Sequence, residues 1–353
     1  KLSFIGELIM ENKIHIVNWL LTRKCNLNCS YCAITKNYKN KPAEYPNMKY
    51  YIENEMSTEY IIEGLKKLKK HNPDCFHIFY GGEPFLRSDL PEIINYCNKK
   101  NIHYTIITNN SPGIQDSIET LLSSVDYIQG LTSSIDPLYK DKNTDQSKKS
   151  YYGMSQLISL RPYIKDLVAE MTISNENVKY LYQTVKELSE HNINTDITFI
   201  DISKSPYYDF SNITDKNLLV HNSDILKEQL QLIRNDKLDA HMLGIHMDKV
   251  LEILPSNLDC KIENNLHNIT IDADGSIRLC LRIRGVNTPK YIKLNNRLFD
   301  KNMQIIQFAK SSIILDKIKF CRKCNWTCMG MSNLISKGKS NINELAHLEK
   351  RRK

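Results

Sequence analysis

Six short runs rich in β-branched and aromatic residues recur along the first 202 positions: Ile14–Leu21, Cys75–Tyr80, Tyr104–Thr108, Tyr127–Ser134, Leu167–Ile173 and Asp196–Ile202. Longer amphipathic stretches separate them, and no other feature narrows the fold as much. Strands spaced by helix-length segments do not pair as tight hairpins; they run parallel, joined by crossovers. The segment Ser57 to Lys70 is typical: Ser57 can cap its first turn, and Ile61, Ile62, Leu65 and Leu68 share one face. Right-handed crossovers bring every strand's C-terminal end to one rim, where barrel-type α/β proteins keep their chemistry.

The alternation stops after Ile202. Residues 203–254 read as a connection, with a Ser/Pro/Tyr/Asn-rich loop over Ser203–Asn212 and helical segments over Asp215–Asn235 and His241–Ile253. A different unit is expected over 255–353. There Asn268–Ile271 and Ile277–Leu281 flank Asp272-Ala273-Asp274-Gly275, a strand-turn-strand signal with Gly at the tight position. A length of 353 residues suits a large core of 1–202 plus this smaller unit. The apolar runs are too short to span a bilayer, so a cytoplasmic protein without membrane contact is expected. The net charge of +8 is spread out, and its clusters (Lys66, Lys67, Lys69, Lys70; Lys148, Lys149) fall on helical stretches. Solvated helix faces account for them, and nucleic acid is not favoured as a partner.

Eight of the ten cysteines form two groups, one towards each end of the chain, which points to metal in a reducing compartment rather than to disulfides. Cys75 and Cys97 stand alone and read as buried small hydrophobes. Cys25-x3-Cys29-x2-Cys32 follows directly on the first strand. Three thiolates leave one iron of a [4Fe–4S] cluster with an open position, whereas structural zinc needs a fourth ligand nearby and the next His is His71.

Cys25-Asn26-Leu27-Asn28-Cys29-Ser30-Tyr31-Cys32 resembles the CxxxCxxC loop of the radical S-adenosylmethionine (SAM) superfamily, and Gly81-Gly82-Glu83-Pro84 resembles its GGEP motif at the end of the second strand. The similarity extends to Thr108-Asn109-Asn110 and Ser134-Ile135-Asp136-Pro137, where many relatives end each pattern with Gly. The resemblance implies a partial (β/α)6 TIM-type barrel followed by a small cluster-binding domain of β-hairpin plus helix. It implies that Cys25, Cys29 and Cys32 hold a [4Fe–4S] cluster whose open iron chelates SAM. Gly81 and Gly82 would admit the ligand, Glu83 accept its ammonium group, and Tyr31 lie near the adenine. Ser134 would lie near the methionine carboxylate or ribose, with Asn109 also at the cofactor. A cationic partner for that carboxylate is sought among Lys148, Lys149 and Arg161. Reductive cleavage of SAM would yield a 5′-deoxyadenosyl radical that abstracts a substrate hydrogen.

The second group is Cys260-x14-Gly275-x4-Cys280, then Cys321-x2-Cys324-x3-Cys328. Four thiolates close either a cluster or a zinc site. Behind a radical SAM core the arrangement resembles SPASM/twitch extensions. It departs from the seven-cysteine SPASM form, which implies one auxiliary [4Fe–4S] cluster on Cys260, Cys280, Cys321 and Cys324, with Cys328 an alternative ligand. A closed auxiliary cluster suits electron uptake and hence net oxidation. The leading expectation is oxidation or crosslinking of a peptide or protein side chain; small-molecule C–H oxidation such as alcohol dehydrogenation follows, and a non-catalytic zinc module is the remote alternative. With 24 residues before Cys25, a peptide would need a separate recognition protein or none. A flavodoxin or ferredoxin is the expected electron donor. Tyr80, Asp136, Asp201 and Tyr207 are candidate bases.

Overall fold

The computed structural model describes residues 14, 16–27, 29, 32, 53–137, 145–199, 224–242, 245–246, 268–275 and 277–278. All six expected strands are present: β1 (Ile16–Thr22), β2 (Phe76–Gly81), β3 (His103–Thr108), β4 (Ile128–Ile135), β5 (Ile164–Ile173) and β6 (Asn194–Phe199). Helices α1 (Thr58–His71), α2 (Leu90–Lys99), α3 (Gln115–Ser124), α4 (Asp145–Leu160) and α5 (Leu181–Glu190) make the crossovers. Every neighbouring pair from β1 to β6 is parallel.

The local reasons are those legible in the residues. Ser57 Oγ accepts the Tyr60 N–H at the start of α1, and Lys69, Lys70 and His71 lie at its end, where cations suit the helix dipole. Ile61, Leu65 and Leu68 are fully buried. Val17, Trp19, Phe79, Tyr104, Ile106 and Leu131, which alternate along their strands with the opposite face, pack into the same core as these helix residues. The opposite face of the sheet is polar towards its C-terminal end, where Ser134, Glu170, Asp196 and His241 are register partners in one row across four strands.

Two findings depart from expectation. The segment after α6 (Asp224–Asn235) is not helical where it is described: β7 (Ala240–Met242) pairs parallel with β6, and β8 (Ile245–His246) turns back on it. Pairing with the open edge of β6 overrides the helical pattern expected from His241. The other concerns the hairpin of the C-terminal unit. Its first strand, β9 (Asn268–Ile271), pairs parallel with β1, and β10 (Ile277–Arg278) is antiparallel to β9. The sheet thus runs β10-β9-β1-β2-β3-β4-β5-β6-β7-β8. Among the described residues, no helix is long and apolar enough to cross a membrane.

Candidate cluster and cofactor site

The three-cysteine loop leaves the C-terminal end of β1, and neighbouring segments fasten it. The end of β2 comes first: Gly82 N–H donates to the Thr22 carbonyl and Glu83 N–H to that of Lys24, both at 2.7 Å. This approach leaves no space for side chains. A Cβ on Gly82 would lie 2.0 Å from the Lys24 carbonyl oxygen, and one on Gly81, at φ +142°, 2.2 Å from that of Thr22. The close contact that these glycines permit is therefore with the cysteine loop's own backbone.

Glu55 and Asp272 fasten the loop from the other side. Glu55 Oε1 accepts from Thr22 Oγ1 at 2.5 Å, and its Oε2 lies 3.3 Å from Lys24 Nζ. Asp272, fully buried in the β9–β10 turn, receives Arg23 in a bidentate pair: Nε to Oδ1 at 2.9 Å and Nη2 to Oδ2 at 2.6 Å. The turn is held in place by Met56 N–H, which donates to the Ala273 carbonyl at 2.7 Å. Gly275 takes φ +79°, and a Cβ there would meet the Tyr60 ring. Sequence reasoning found the turn but neither Glu55 nor the Arg23–Asp272 pair; an Arg two places before the first cysteine was the one available signal.

The third fastening comes from β3. Glu83 is fully buried and accepts three hydrogen bonds: from Thr108 Oγ1 at 2.9 Å, Phe85 N–H at 3.1 Å and Asn109 N–H at 2.8 Å. The carboxylate thus ties the end of β2 to the end of β3. Asn109 Nδ2 donates to Cys25 Sγ at 3.7 Å and to Asn26 Oδ1 at 2.8 Å, while Asn26 Nδ2 reaches Ser111 Oγ at 2.8 Å. Asn110, where the resemblance leads one to expect Gly, takes φ +46°, a left-handed conformation that Asn tolerates and Gly adopts readily.

Cys25, Cys29 and Cys32 are half-buried, and the Cys32 N–H donates to the Cys29 carbonyl at 3.0 Å. Among the described residues, no three His, Cys, Asp or Glu side chains converge as a group set for a metal ion. Burial pushes the Cys25 thiol up; the Leu27 N–H pulls it down, Glu83 and Cys32 raise it, and Asn109 lowers it. Those two donors on the sulfur fit a thiolate ligand. Cys75 and Cys97, by contrast, are buried core thiols, as expected, and burial pushes Cys75 up to about 12.

Ser134 is half-buried and Asp136 buried, both at the end of β4. Arg161 lies at the opposite rim, exposed and bonded to the Asn192 carbonyl just before β6, because it follows a helix rather than a strand. It is thereby removed as a partner for a carboxylate near Ser134. Tyr31, Cys260, Cys280, Cys321, Cys324, Cys328, Asp201 and Tyr207 lie outside the described residues, as do the side chains of Lys148 and Lys149.

Fe-coproporphyrin III synthase of Methanosarcina barkeri is 33% identical over 101 residues, 29% of this chain and 22% of that protein. GTP 3′,8-cyclase of Clostridium botulinum is 20% identical over 307 residues, covering 82% of this chain and 88% of its own. The chain spans 22% to 56% of the length of the archaeal relatives it matches. Among solved structures, Streptococcus suis SuiB bound to S-adenosylmethionine superposes with a TM-score of 0.59 at 14% identity, over 97% of this chain and 79% of that one, a likeness of fold. Over residues 19–152 the chain matches the family model described as the radical SAM superfamily, and that stretch is a radical SAM superfamily domain.

Proposed function

We propose that this protein is a radical SAM enzyme in which Cys25, Cys29 and Cys32 hold a [4Fe–4S] cluster. The observation that carries the reading is the fastening of the cysteine loop to Gly82, Glu83 and Asn109, which unites the two motifs with the end of β3. When bound, cluster and SAM supply a radical able to abstract an unactivated hydrogen. The chain's own part is positional. Gly81 and Gly82 bring the loop against the end of β2, Glu83 locks that end to β3, and Asn109 donates to Cys25. Tyr31 and Ser134 are assigned to the adenine and to the methionine carboxylate or ribose, and the carboxylate of Glu83 to the ammonium. Lys148 and Lys149 remain the candidate cationic partners of the carboxylate.

The substrate reading is net oxidation or crosslinking of a peptide or protein side chain. It draws on the likeness in fold to SuiB, which has been solved with its precursor peptide SuiA. It also draws on the C-terminal cysteines, to which we assign one auxiliary [4Fe–4S] cluster as electron acceptor. In sequence Cys280 comes two positions after β10, and the turn before β10 holds Arg23, two positions before Cys25, through one ion pair. A small-molecule substrate is the second reading, favoured by the longer match to a GTP cyclase. A reducing cytoplasm and a flavodoxin or ferredoxin donor complete the proposal.

Iron and acid-labile sulfide per chain, measured after anaerobic reconstitution, test it. About eight irons falling to about four in the C25A/C29A/C32A variant is the expected result, each cluster taken as a four-iron cube. Dithionite-dependent 5′-deoxyadenosine release from SAM should vanish in the same variant. Zinc without labile sulfide would overturn the reading and leave the non-catalytic module.

A further inference from the structure

Asn109 is a cofactor-site residue by resemblance, yet its amide protons are committed elsewhere. Its Oδ1 accepts the Ser111 N–H at 3.0 Å, and a backbone N–H can only donate, so the orientation of the amide is fixed by that bond. Nδ2 must then face the cysteine loop. Its two protons have two acceptors there, Asn26 Oδ1 at 2.8 Å and Cys25 Sγ at 3.7 Å. The side chain has no third proton for a ligand. Its main chain is held independently, because Asn109 N–H donates to Glu83 Oε2, a bond that survives any substitution of the side chain.

We propose that Asn109 is a positioning residue whose amide sets the electron affinity of the cysteine-held cluster through Cys25 Sγ, and not a hydrogen-bond donor to SAM. The inference rests on the cluster reading above. A ligating thiolate sulfur gains negative charge when its cluster takes up an electron. A donor aimed at that sulfur therefore favours the reduced state more than the oxidised one. The Leu27 N–H, 3.4 Å from the same sulfur, acts alongside it, but it is backbone and is retained in every variant. Asn26 serves the arrangement from below: its Oδ1 takes the other Nδ2 proton and its own Nδ2 is anchored on Ser111 Oγ, so the amide cannot rotate away from Cys25.

The test is an EPR-monitored redox titration with dithionite, without SAM, on reconstituted full-length protein. The signal in question is the one lost in C25A/C29A/C32A. In N109A the ratio of reduced to oxidised cluster at one fixed potential should fall about tenfold, equivalent to about 59 mV for a one-electron couple. N109D keeps the shape and the acceptor for Ser111 N–H but turns a carboxylate oxygen towards Cys25, so its ratio should fall further. SAM binding to the oxidised cluster, followed by the change in its absorption spectrum, should weaken less than threefold in N109A. Should N109A take up too little iron to titrate, the isosteric N109D carries the comparison. Wild-type ratios in both iron-loaded variants would overturn the inference and leave the cluster reading intact. Loss of SAM binding with an unchanged ratio would also overturn it, in favour of direct contact with SAM. Iron content equal in wild type and C25A/C29A/C32A would remove the cluster reading itself, and the inference with it.

Discussion

Truncating Asp272 to Ala tests whether the hairpin is part of the core or an appendage to it. Asp272 is fully buried and Arg23 is 9% exposed, and two charge-assisted bonds of 2.6 and 2.9 Å join them across 249 positions of sequence. Removing one partner of such a pair leaves a guanidinium in a place chosen for its carboxylate, at a cost of about 3–5 kcal/mol. That is a large share of a typical domain's stability of roughly 5–15 kcal/mol. Urea unfolding of the iron-free protein, followed by far-UV circular dichroism, should show the midpoint falling while the slope is kept. Because the pair is shielded from solvent, added salt should change the difference little. The apolar replacement R23M/D272L should recover at least half of the loss, since it removes both charges together. A D272A protein within about 0.5 kcal/mol of wild type, the range of an ordinary surface change, would refute the reasoning.

Gly82→Ala should preserve far-UV circular dichroism yet reduce iron uptake to about the level of C25A/C29A/C32A, because the added Cβ, 2.0 Å from the Lys24 carbonyl oxygen, must displace the cysteine loop. Normal iron uptake in that variant would show that the contact is dispensable. His77 is buried and accepts the Trp19 indole N–H on Nδ1 at 2.9 Å; burial first, then the charges of His103 and Lys69, hold it down to about 3. The unfolded chain binds this proton below 6.5 and the folded chain only near 3. Stability is therefore lost as pH falls through that window, by up to about 1.36 kcal/mol per pH unit. Urea midpoints at pH 7, 6 and 5 should fall more steeply in wild type than in H77F, and equal slopes would sink this account.

Strand and helix alternation was legible because its cause is local. Ser57 caps α1 through a hydroxyl three residues from its donor, and the parallel order of β1 to β6 follows from helix-length spacers. Strand 240–242 was not legible, since only the unpaired edge of β6 makes those residues extended. The cysteine loop and Gly81-Gly82-Glu83-Pro84 were likewise visible as motifs, whereas the packing of the two glycines on the backbone of Thr22 and Lys24 was not.

By itself, then, the sequence determined the three thiols that follow β1 and the parallel scaffold that carries them, because both depend on residues close together in the chain. Only the tertiary structure decided that Arg23 meets Asp272, that Glu55 holds Thr22, that Asn109 donates to Cys25, and that Arg161 sits at the far rim. Charge pairing and hydrogen bonding act over about 3 Å whatever the separation in sequence, so such partners are chosen by the fold alone.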